Sequence, residues 1–176
     1  AVILWDILFR GQLGLSISFL EEMWARNLGN LMMSPLKPIE FLISLMIMSL
    51  IRLAIGVIPM TLLALVFFDF NFFAIGLPLI AFFCNLIFTS WSIGIFVSGL
   101  VLRNGLGAES IVWTLMFGLM PLACVYYPVL IDHVFRSDLM IYSLVINAGL
   151  LVASFAIFLA LLRSAKRHGS LLGGGE

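Results

Sequence analysis

The sequence predicts an all-α fold, a polytopic transmembrane helix bundle with an amphipathic helix on its cytoplasmic side. Three observations carry that expectation. Hydrophobic residues make up 63% of the chain and charged residues 10%, with a mean hydropathy of +1.21. A soluble domain is roughly 45–50% apolar and about 25% charged, so lipid must solvate much of this surface. The apolar residues stand in long uncharged blocks rather than the short alternating strands of a barrel, and Lys and Arg gather on alternate sides of those blocks.

Taken in order, residues 1–9 read as the last turns of a span, stopped by Asp6, whose beginning precedes the chain. Residues 10–38 form the amphipathic segment. Four runs then have the length of about 20 apolar residues that a crossing helix needs. Residues 41–68 carry Arg52 as their one charge, while residues 72–102, 110–131 and 139–162 carry none. Gly76, Pro78 and Asn85 suggest that the long second run is tilted, broken or interfacial at its start. Residues 163–176 are a tail. Arg10, Arg26, Lys37, Arg103, Arg163, Lys166 and Arg167 all fall on one side of alternating crossings, and the opposite loops hold Asp69, Asp132, Asp138 and Arg136. The basic side, with the C-terminus, is expected in the cytoplasm.

In residues 10–38, Leu13, Ile17, Leu20, Trp24, Leu28 and Leu31 recur at helical spacing, opposite Gln12, Ser16, Glu21, Glu22, Arg26 and Asn27. Ser18 and Glu21 fit a capping box, Glu22 precedes Arg26 by four residues, and Pro35 and Pro38 end the segment. Two readings stand: a helix lying on the inner leaflet, or one held by a protein partner. The two acids would be repelled by an anionic leaflet, which favours the protein.

The composition also bounds the chemistry. Net charge is zero, which gives no basis for a nucleic-acid partner. Cys84, Cys124, His133 and His168 are isolated, so no metal site is expected, and the four runs contain no acid or His for catalysis. Arg52 lies about 16 Å beyond Phe41 along an upright helix, near the bilayer centre. It either snorkels to an interface, anchors the bundle or lines a path. Asn85, with Thr89, Ser90 and Ser92, makes a polar patch suited to bonding between helices. Arg103 reads as an interfacial anchor beside a short hinge at Gly105 and Gly107.

The stretch Phe19-Leu20-Glu21-Glu22-Met23-Trp24-Ala25-Arg26-Asn27-Leu28-Gly29-Asn30-Leu31, closed by Ser34-Pro35-Leu36, resembles the cytoplasmic coupling segment of type 2 ABC exporter permeases. Leu100-Val101-Leu102-Arg103-Asn104-Gly105 and the stretch from Arg163 to Leu172 agree with the same family, in order along nearly the whole chain. The resemblance implies a permease that acts as a homodimer in the bacterial plasma membrane, among membrane lipid. An ABC ATPase subunit would grip the coupling helix through Glu21, Glu22, Arg26 and Asn27. The chain has no Gly-x-x-x-x-Gly-Lys-Ser/Thr loop, so ATP would be bound by that partner and no cofactor is expected in this chain. Against the family pattern, the first span and most of the second are missing. Cys124-Val125-Tyr126-Tyr127-Pro128-Val129 also runs directly into Leu130-Ile131-Asp132-His133, where relatives place an outer re-entrant hairpin. A deletion between Val129 and Leu130 is therefore expected. A passive channel, an assembly protein and a non-functional permease fragment are the competing readings.

Overall fold

The computed structural model describes residues 2–68, 76–105, 107, 109–122 and 137–168. Among these residues the structure is all-α: α1 (Val2–Trp24), α2 (Leu28–Met33), α3 (Pro38–Phe68), α4 (Leu77–Asn104), α5 (Glu109–Leu122) and α6 (Ser137–His168), with no strand. Pro38–Phe67, Pro78–Asn104 and Ser137–Arg167 are each long and apolar enough to cross a membrane, and they mark a membrane protein. Their outward surfaces are aliphatic, as at Ile55, Val66 and Val152, each more than two-thirds exposed in the isolated chain. Such surfaces are stable only against lipid or protein.

The helix ends have local causes. Pro38 occupies the first position of α3, and Glu40 reaches back to accept the Lys37 backbone N–H at 3.0 Å, half of a capping box. Gly76 (φ 70°) and Pro78 start α4, and Gly105 (φ 78°) ends it by donating its N–H to the Val101 carbonyl at 2.8 Å. The break expected near Gly76 and Pro78 is thus where α4 begins, whereas Asn85 interrupts nothing. α6 runs past the expected end of its span through Arg163, Lys166 and Arg167. α5 covers only the first part of the expected 110–131 span; the rest of that run and the Val129–Leu130 junction lie outside the described residues.

The main departure from expectation is α1. It is one unbroken helix of 23 residues, so no helix starts at Ser18 and no capping box forms there. Nor is residues 10–38 a separate surface segment: α1 packs lengthwise between α3 and α4. Gln12 and Ser16, expected on a polar outer face, are buried, and Trp24 is half exposed. Small residues explain the close fit. A Cβ on Gly11 would stand 2.6 Å from Ser90 Oγ, and one on Gly14 would stand 3.3 Å from the Ser49 Cα. In a membrane, where lipid is as apolar as leucine, such close backbone approach is a principal source of helix association.

These contacts also fix direction. Gly11 meets Ser90 and Gly94 meets Leu15, so α1 and α4 run parallel; Gly99 meets Phe158 while Asn85 bonds Ser143, so α4 and α6 do too. α1 and α3 are antiparallel, with Arg10 against Gly56 and Phe19 against Phe41. The core gathers Leu15, Phe19, Leu42, Val97, Val101 and Phe158, among others, with Phe19 edge-on to Phe158 at 5.9 Å. The C-terminal ends of α1, α4 and α6 and the start of α3 therefore share one end of the bundle. Arg26, Lys37, Arg103, Arg163, Lys166 and Arg167 all sit there, and among the described residues the opposite end has no basic side chain. Arg10 is not at that end, contrary to expectation. It lies level with Gly56, in the second half of α3.

Candidate functional site

α1 and α3 meet along a seam that carries charge. Asp6, Arg10, Ile17 and Glu21 share one face of α1, at steps of four, seven and four residues. Arg10 Nε donates to Asp6 at 2.6 Å, and its side chain lies over Gly56, whose missing Cβ leaves room for it. From the facing helix, an Arg52 Nη donates to Glu21 Oε2 at 2.6 Å. Between the pairs is an open cleft of about 270 Å³, lined by Asp6, Arg10, Leu13, Gly14, Ile17 and Arg52 among others.

Two residues assigned by sequence to different places, Glu21 outside the membrane and Arg52 at its centre, are thus brought together. Arg52 stands fourteen residues into α3, or about 21 Å along its axis, and its side chain reaches towards the end where α1 stops. A guanidinium at the centre of a span costs at least about 2.5 kcal/mol by insertion measures, and a carboxylate partner offsets part of that. Both side chains are partly exposed, at 33% and 49%. In water such a pair is worth about 0–1 kcal/mol. Its consequence here is neutralisation rather than strength.

The other proposed coupling residues form a turn at the basic end. Arg26 donates its N–H to the Met23 carbonyl at 3.0 Å and Asn27 to the Glu22 carbonyl at 3.1 Å. This is the double bond of a Schellman ending, with Arg26 at the left-handed position (φ 53°) that glycine usually fills. Asn27 Nδ2 adds a bond to Glu22 Oε2 at 2.9 Å. The expected Glu22–Arg26 helical pair does not form, because Arg26 has left the helix. Beyond the turn, Ser34 Oγ caps the end of α2 on the Leu31 carbonyl at 2.7 Å. Trp24, Arg26, Asn30 and Met33 remain exposed around it.

Asn85 behaves as a link between helices. Its Nδ2 donates to Ser143 Oγ at 2.7 Å, and its Oδ1 accepts from Asn147 Nδ2. Arg103 is exposed in the last turn of α4 and Gly105 caps that helix, so these two stand at the basic end, apart from the seam. Sequence reasoning missed two features. Trp91 Nε1 donates to Ser49 Oγ at 2.7 Å, where Gly14 also abuts, joining α1, α3 and α4. Gln12 is fully buried and bonds Ser16 Oγ at 3.0 Å, but its Oε1 has no partner among the described residues. The small residues Gly11, Gly14 and Ser16 were the available signal for both.

Comparison with family models, with curated proteins and with solved structures finds no match for the chain.

Proposed function

We propose that this chain is the membrane permease subunit of an ATP-driven ABC exporter, one that moves a glycan, lipid or hydrophobic small molecule out of the cell. The energy comes from a separate ATPase, the permease acts as a homodimer, and the basic end of the bundle with the C-terminus faces the cytoplasm of a bacterium. The observation that carries this reading is the α1–α2 turn. It is exposed, lies at the basic end, and is bonded directly to α1, which packs between α3 and α4. A partner pulling on α2 would move α1, and α1 cannot move without disturbing its packing on α3 and α4. Interiors of this kind switch between discrete arrangements rather than bending smoothly.

The test is Arg26→Glu in the full permease, co-expressed with its ATPase. Arg26 is exposed, so insertion and thermal unfolding should be unchanged while ATPase co-purification falls on the order of tenfold, about 1.4 kcal/mol of contact. Undiminished co-purification counts against the coupling role of this turn.

A further inference from the structure

We infer that the α1–α3 seam is filled with water at membrane depth and lines a path for a polar solute of no net charge. The inference deepens the transport reading above and rests on it for its purpose, because a path is of use only to a transporter. Its physical ground is separate and consists of where the charges lie.

Arg52 lies near the middle of a 31-residue helix, and Arg10 lies against Gly56, only four residues further on. α3 segregates its surface sharply. Ile47, Ile51, Ile55, Ile58 and Leu62 form an exposed aliphatic stripe at helical spacing, suited to lipid, and Arg52 is set to one side of it, beside α1. α1 repeats the segregation by placing Asp6, Arg10 and Glu21 on that same side. Four charged groups are thereby concentrated along one seam, beside the aliphatic outward stripe of α3. Of these, Asp6 and Arg10 lie at membrane depth, where charged side chains face a protein interior or a water-filled cavity, and Glu21 draws the Arg52 guanidinium from mid-span towards the basic end.

Water is favoured over a covering protein by the state of the guanidiniums. Each has five N–H donors. Among the described residues Arg10 gives one to Asp6 and Arg52 one to Glu21, which leaves donors of both open to the cleft. A dry cover would strand those donors. The chemistry of the solute follows from the count: two cations and two anions cancel, so the wall offers many hydrogen-bonding groups and no net field. A hydroxyl-rich or zwitterionic solute fits it, and a purely apolar one does not. The second groove among α1, α3 and α4, about 300 Å³ lined by Ile7, Val57, Leu65, Ile80 and Phe83 among others, has the opposite character.

The experiment places single cysteines in the full chain with Cys84 and Cys124 replaced by alanine, in isolated membranes without ATPase. Ile17→Cys and Phe9→Cys, both at residues that line the cleft, probe the seam; Ile55→Cys and Val152→Cys probe the lipid-facing surface. Membrane-impermeant cationic and anionic methanethiosulfonates should label the seam positions on the order of tenfold faster than the lipid-facing ones. The two reagents should also react at comparable rates. Arg52→Gln should shift that balance towards the cation.

Seam positions as silent as Val152→Cys overturn the inference. So does a disulfide between copies at Ile17→Cys that excludes both reagents, which would make the seam a dimer contact. A strong preference for one reagent charge in the unmodified wall overturns the neutral-solute assignment. None of these readouts involves the ATPase, so a failed seam and a failed coupling turn are told apart.

Discussion

Gly11 owes its place to the 2.6 Å that would separate a Cβ there from Ser90 Oγ. Rotating the serine hydroxyl away is not enough, because Ser90 Cβ stands only 3.2 Å from the same point. Gly11→Val should therefore destabilise the bundle by about 1–3 kcal/mol, the usual cost of overpacking, seen as a lowered melting temperature in detergent. Ser90→Gly in the same chain should recover much of the loss, a coupling that two independent sites would not show. Gln12 presents the opposite problem at the same helix contact. Its amide fills space well, yet its unpartnered oxygen costs about 1–3 kcal/mol where no water reaches it. The sequence held only an indirect signal of this, in its small residues. Gly, Ser and Gln read there as breaks in an apolar pattern, whereas in a helix packed among helices small and hydrogen-bonding residues are the interior.

The same inversion explains which elements could be read. The runs that became α3, α4 and α6 were visible because their aliphatic surfaces face outward and carry little charge. α1 was split into a stub and a surface segment because Asp6, Arg10, Glu21 and Glu22 interrupt its hydropathy. Those charges lie along its seam and at its end, where hydropathy averaging cannot separate them from its buried sides. Its end was equally hidden, since a Schellman turn announces itself by glycine and here the position is Arg26. Between elements, Asn85 was read as a link, and the structure supplies its partners on α6. Asn85→Leu should weaken the α4–α6 contact by about 0.6–1.7 kcal/mol, the range of interhelical hydrogen bonds in membranes. Thermal unfolding should show this as a modest downward shift, with Asn147→Leu adding little once Asn85 is gone.

For the molecule as a whole, parallel α1, α4 and α6 with antiparallel α3 collect six of the nine Lys and Arg residues at one end. Three of those helices also direct their C-terminal dipole ends there, where Arg103, Lys166 and Arg167 complement those of α4 and α6. Cysteines at Lys37 and Lys166, more than a hundred residues apart in the chain, should accordingly be labelled by an impermeant reagent from the same face of a sealed vesicle. Labelling from opposite faces would break the deduced order of crossings. The alternation of the basic residues foretold this arrangement, and Arg10 was the one member it misplaced. Its partner Asp6, four residues away on the same helix, lets it remain among the spans.

On the exporter reading proposed above, Arg26 sets heat tolerance against mechanical output. A side chain in the left-handed conformation carries a penalty of about 1–2 kcal/mol that glycine avoids. Arg26→Gly should consequently survive heating better than the parent while gaining freedom at the joint between α1 and α2. For the proposed exporter, reconstituted in vesicles with its ATPase, the expected outcome is a raised melting temperature, unchanged ATP consumption and less solute moved per ATP spent. On that reading, selection for robustness alone would discard the stiffness that makes the joint a lever.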